Sequence, residues 1–96
     1  MDIFTLRQKY RNQILNIADK YKADNVRIFG SVVRGENSDD SDIDLLVHFK
    51  EGASLLDESG LDIDLNELLG CRVDVISDRA IRSEFKSFIL SESRLL

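Results

Sequence analysis

The sequence predicts an α/β fold: a small mixed β-sheet flanked by helices, in the order αβαβαβα, with residues 1–96 as a single domain. Three observations predict it. Short runs rich in β-branched residues at 26–29, 43–49 and 72–76 alternate with longer stretches whose apolar residues recur every three or four positions, the two periods that separate strand from helix. Gly30, Gly35 and Gly70 stand where runs stop. Finally, 96 residues with an apolar fraction of 43% suffice for one core, so helices must cover at least one face of a short sheet.

In residues 3–22, Leu6, Tyr10, Ile14, Ile17 and Tyr21 follow at steps of four, four, three and four, one apolar stripe along a helix. Val26-Arg27-Ile28-Phe29 reads as a strand stopped by Gly30, and Ser31 as the N-cap of a brief helix through Arg34 that Gly35 ends. The polar stretch 36–41 reads as a loop in which Asp39 and Asp40 are solvated charges. Residues 43–49 form a second, mostly buried strand. Ser54 and Asp57 resemble a capping box, and Leu61, Leu65, Leu68 and Leu69 carry a helical stripe to Gly70, with Gly60 a weak point inside it. Residues 72–76 are the third strand. A closing helix capped near Asp78 presents an apolar face of Ile81, Phe85, Phe88 and Ile89; the Phe85, Phe88 and Ile89 cluster is expected to join the core, the alternative being that part of this helix is exposed as a partner surface.

The formal net charge is −5, and the 13 lysines and arginines are scattered without a run of five. No basic stripe for nucleic acid is present, so free nucleotide or protein is favoured over DNA or RNA. Cys71 is the single cysteine and cannot form an internal disulfide, and no apolar stretch approaches the ~20 residues that span a bilayer. The opening Met1-Asp2-Ile3-Phe4 lacks the basic-then-apolar plan of a signal peptide. A cytoplasmic location is expected. The chain is too small for a catalytic domain plus a dedicated substrate domain, so the acceptor is expected to be another macromolecule or a subunit.

The chemistry lies between Gly30 and Leu45. Gly30 lets a backbone approach phosphate with no Cβ in the way, and Ser31 adds a hydroxyl at a helix start whose amides are unpaired. Arg34, one turn on, either reaches a phosphate or pairs with an acidic neighbour. Asp42 and Asp44, two apart on a strand, project to one face about 6.5–7 Å apart at Cα. Two such carboxylates repel unless a cation compensates them, and magnesium with triphosphate oxygens supplies that cation. A two-metal displacement at phosphorus needs a further carboxylate from a neighbouring strand. Asp74, between Val73 and Val75, is the candidate. The reading is a nucleotidyl transfer site in which Asp42, Asp44 and Asp74 hold metal and Gly30, Ser31 and Arg34 serve the nucleotide.

Gly30-Ser31, ten intervening residues, Asp42-x-Asp44 and then Asp74 on a later strand resemble the signature of the DNA polymerase β nucleotidyltransferase superfamily. With Gly-Ser-x-x-Arg-Gly, Ser-Asp-x-Asp-Leu-x-Val and Gly-x-x-Val-Asp-Val in so short a chain, the sequence is similar to the minimal nucleotidyltransferases, the MNT domains. That resemblance implies a polymerase β-like fold, magnesium and ATP as cofactors, and pairing with a helical HEPN-domain ribonuclease toxin. It further implies an antitoxin that transfers AMP to a tyrosine hydroxyl of the toxin, with Ser31 on phosphate and Asp42, Asp44 and Asp74 on metal. Two other functions stay open: a non-catalytic, stoichiometric antitoxin, and the catalytic subunit of a split small-molecule nucleotidyltransferase.

Other polar residues have plainer roles. His48 lies four residues beyond Asp44, about 13 Å along the strand, too far to ligate the same ion. Cys71 reads as a small semi-buried thiol. Asp62 and Asp64 repeat the Asp-x-Asp pattern, but on a helix their side chains diverge, so they read as surface charge.

Overall fold

The computed structural model describes residues 1–36 and 42–96. Its helical N-terminus begins with α1 (Ile3–Thr5), whose first turn is capped by Asp2 accepting from the Thr5 N–H at 2.7 Å. A π-helical stretch, Leu6–Tyr10, leads into α2 (Arg11–Lys20). Leu6, Ile14 and Ala18 are its buried residues, so the expected stripe holds at Leu6 and Ile14 while Tyr10, Ile17 and Tyr21 are half-buried at its margin.

The sheet has four strands: β1 (Ala23–Phe29), β2 (Ile43–Phe49), β3 (Val73–Ser77) and β4 (Arg94–Leu95), in the order β3-β2-β1-β4. β1 runs antiparallel to β2 and to β4, while β2 and β3 are parallel. The parallel pair requires a crossover, supplied by α4 (Leu55–Leu69). β1 starts three residues earlier than its apolar run, because a register shift between Asp24 and Arg27, with Asn25 at φ 49°, absorbs a polar irregularity. The fourth strand is an addition to the expected order; two residues are too few to show a period.

Ile43, Leu45, Val47 and Phe49 alternate along β2 on one face and pack with Val26, Ile28, Val73 and the helix residues Leu6, Ile14, Leu61, Leu65 and Leu69. The expected capping box of α4 is present, with the Ser54 N–H donating to Asp57 Oδ2 at 2.9 Å, and Gly70 ends the helix at φ 65°. Gly60 does not interrupt α4. The Tyr21 ring lies against it, where a Cβ would overlap the ring edge, and the Tyr21 hydroxyl donates to Asp64 Oδ2 at 2.6 Å. Asp64 is therefore a buttress between α2 and α4 more than a surface charge.

Two expectations at the C-terminal end are corrected. The closing helix, α5 (Ser83–Glu92), starts five residues after Asp78, because residues Asp78–Ala80 form a 3-10 turn instead. Nor does its apolar face join the core: α5 has no buried residue, and Phe85 and Phe88 are 52% and 65% exposed. Periodicity shows that a helix has an apolar face, not what covers it. Among the described residues, no helix is long and apolar enough to cross a membrane.

Candidate active site

The antiparallel β1–β2 pair and the parallel β2–β3 pair bring the end of β1 and the starts of β2 and β3 to one side of the sheet. Phe29, the last residue of β1, is opposite Asp44, and Asp44 is opposite Asp74. In-register residues of neighbouring strands share a face, so Asp44 and Asp74 stand side by side on the face opposite Ile43 and Leu45. Asp42 lies just ahead of β2.

Gly30 follows with φ 77° and ψ −150°, a conformation open essentially to glycine alone. A Cβ there would also overlap Asp44 Oδ2. Gly30 thus serves a purpose its sequence position did not reveal: it makes room for the Asp44 carboxylate. The tight conformation also moves the helix start. Gly30, not Ser31, occupies the N-cap position of α3 (Ser31–Arg34), and Ser31 is its first residue. The backbone amide of Ser31 is one of those a helix start leaves without an intrahelical partner.

The electrostatics follow from this crowding. Burial raises the Asp44 carboxyl from its ordinary pKa, and the negative charges of Asp74 and Asp42 raise it further, with the Arg34 guanidinium partly opposing them. Arg34, whose sequence left two roles open, is paired with acids here: with Glu36 at 3.1 Å, and with Glu92 of α5.

A basic residue absent from the sequence expectations belongs to the site. Arg72 Nε stands 3.7 Å from Asp42 Oδ2 and 3.4 Å from Asp74 Oδ1. Its signal was the Arg72-x-Asp74 spacing, which places both side chains on one side of an extended chain.

Among the described residues, no three acidic, His or Cys side chains close into a ready-made metal cage. The donors present are oxygen-only carboxylates, with Asp44 and Asp74 side by side in register on neighbouring strands. That set suits magnesium, which is commonly held by one or two carboxylates with water and substrate phosphate completing its shell. Beside Asp74 an open groove of about 460 Å³ runs along β3 and α4, lined by Glu58, Ser59, Asp62, Asp74, Val75 and Ile76.

The remaining polar residues stand apart. His48 Nδ1 is 2.9 Å from Asp78 Oδ2, and Cys71 is a half-buried free thiol packed against the core. Asp39 and Asp40 lie outside the described residues.

Comparison with known proteins agrees with this geometry. Residues 11–96 match the family model of the nucleotidyltransferase domain. The protein adenylyltransferase MntA of Thermococcus cleftensis is 38% identical over 79% of this chain and 77% of its own length. A solved structure described as a candidate minimal nucleotidyltransferase superposes with a TM-score of 0.88 at 45% identity, covering 100% of this chain and 97% of that one. A toxin-antitoxin complex with AMP-PNP shares the fold at a TM-score of 0.75 and 20% identity, over 90% of this chain and 71% of that chain. A four-stranded mixed sheet of this topology, with glycine and aspartates gathered at one end, is thus that of a known enzyme class: the chain belongs to the nucleotidyltransferase family, in its minimal branch.

Proposed function

We propose that this enzyme is a magnesium-dependent protein adenylyltransferase that moves AMP from ATP to a hydroxyl, of tyrosine by family resemblance, on a HEPN-type partner toxin, which it thereby silences in the cytoplasm. The observation that carries the reading is the in-register pairing of Asp44 with Asp74 on neighbouring strands, with the Asp44 carboxylate against Gly30. Two carboxylates on adjacent strand positions, each raising the cost of the other's charge, with a third at hand in Asp42, make an unfavourable arrangement for a merely structural strand end. Relatives and a neighbouring fold carry names of the same kind, protein adenylyltransferase and toxin-antitoxin.

Asp42, Asp44 and Asp74 would hold magnesium, which when bound supplies positive charge against the triphosphate. Gly30 and the α3 start offer backbone N–H groups to phosphate oxygens, with the Ser31 hydroxyl beside them. Asp74, at the head of the open groove, orients the acceptor hydroxyl and takes its proton. The hydroxyl oxygen forms a bond to the α-phosphorus as the bond to pyrophosphate breaks, so pyrophosphate leaves as AMP is transferred.

Incubation with ATP labelled at the α-phosphate, magnesium and the cognate partner tests the reading. Label is expected on the partner and is expected to vanish in Asp44→Asn. An unlabelled cognate partner sinks it.

The exposed Phe85 and Phe88 of α5 favour a second reading, a stoichiometric antitoxin that masks its partner through this helix. In that case an Asp42→Asn, Asp44→Asn double variant still neutralises the toxin at a one-to-one ratio.

A further inference from the structure

Arg72 stands between Gly70, which ends α4, and the first residue of β3. Its side chain is 71% exposed, yet its guanidinium bridges Asp42 and Asp74. A guanidinium is a permanent cation, so the aspartates do not stand as three uncompensated charges. Arg34, whose charge also reaches Asp44, is engaged by Glu36 and Glu92, neither of them in the aspartate set. Arg72 differs in being held by the carboxylates that a divalent ion requires.

We infer that Arg72 is a positioning residue for the nucleotide: it neutralises Asp42 and Asp74 in the metal-free protein, yields them to an arriving magnesium ion, and turns onto the triphosphate. The inference rests on the metal–nucleotide reading of this site. Release is easy, because ion pairs this exposed are weak and the long side chain keeps its freedom. Transfer is favoured, because a triphosphate carries more negative charge than one divalent ion cancels and a guanidinium matches phosphate oxygens as a fork. Arg72 therefore acts in two opposite senses, as a competitor of the bare ion and as a helper of the ion with its nucleotide. A merely structural ion pair has neither sense.

Calorimetric titration of the full chain with magnesium chloride alone, and with a non-hydrolysable ATP analogue in saturating magnesium, separates the two. In Arg72→Gln, magnesium alone should bind about two- to fivefold tighter, since a weak exposed pair no longer competes. The analogue should bind about tenfold weaker through loss of a charge-assisted contact. Arg72→Lys, which keeps the charge but not the fork, should stay near wild type for magnesium alone and lose part of the analogue affinity. Unchanged or weaker magnesium binding in Arg72→Gln, or unchanged analogue binding, overturns the inference. So does a wild type that takes the analogue with magnesium but no magnesium alone. Asp44→Asn, run in parallel, should lose both ligands; a folded wild type that binds neither probe removes the metal–nucleotide reading itself.

Discussion

Asp44 sits where three demands meet: it fills the space that the missing Gly30 side chain leaves, it stands in register with Asp74, and it is partly withdrawn from water. Because its folded pKa is raised, its contribution favours folding in full below the unfolded value of about 3.9 and is lost as pH rises through the folded value. The expected outcome is that Asp44→Asn melts above wild type at pH 7 in a chelator, that the gap closes by about pH 3.5, and that magnesium at pH 7 raises wild type more than the variant. Calorimetric scans at both pH values check this; equal melting temperatures in chelator at pH 7 would show that the Asp44 charge carries no cost. Asp42 and Asp44 stood out as candidates in the sequence because strand geometry makes an i, i+2 pair of carboxylates conspicuous, and Asp74 because it is a charge between two β-branched residues. The Gly30–Asp44 contact was not, since a glycine announces a conformation but not the atom that occupies the space beside it. Arg72 was half-hidden: its spacing from Asp74 was visible, but its second partner, Asp42, is fixed only once β2 and β3 are in register.

Among the elements, α4 shows how a neighbour overrides propensity. Glycine costs a helix interior about 0.5–1 kcal/mol relative to alanine, so Gly60→Ala would ordinarily stabilise. Here the added methyl meets the Tyr21 ring. Gly60→Ala should therefore cost about 1–3 kcal/mol as an overpacked contact, and in a Tyr21→Ala background the same change should stabilise by about 0.5–1 kcal/mol. A double-mutant cycle in urea reads the sign reversal, and additive effects would show that the ring gives way freely. The capping box, Gly35, Gly70 and the three main strands were legible because each has a local cause. β4 had too few residues to show a pattern, and its place beside β1 is set by long-range pairing. Asp78 misled because a residue suited to capping an α-helix serves a 3-10 turn as well.

At the scale of the molecule, the C-terminal residues clasp the N-terminal half. The Leu96 N–H donates to the Val26 carbonyl at 3.0 Å, Arg7 donates to the Leu95 carbonyl at 2.6 Å, and Arg27 Nε donates to the buried Ser93 hydroxyl at 2.7 Å. Leu96 is 7% exposed while Leu95 is 56% exposed. Leu96→Ala should cost about 2 kcal/mol and lower Tm by roughly 10 °C, whereas Leu95→Ala should stay within about 0.5 kcal/mol of wild type. Thermal melts of the two variants check the contrast, and equal losses would mean that the clasp works through its backbone alone. The crossover through α4 has a consequence in time. Gly30 and Asp44 meet through a nearby antiparallel pairing, but Asp74 joins them only after the chain has travelled through α4 and closed a parallel pair, the slower kind of contact to form. During synthesis the Gly30–Asp44 end is expected to take shape first and Asp74 to join it later, so a nascent chain should bring the candidate site together only once β3 has docked.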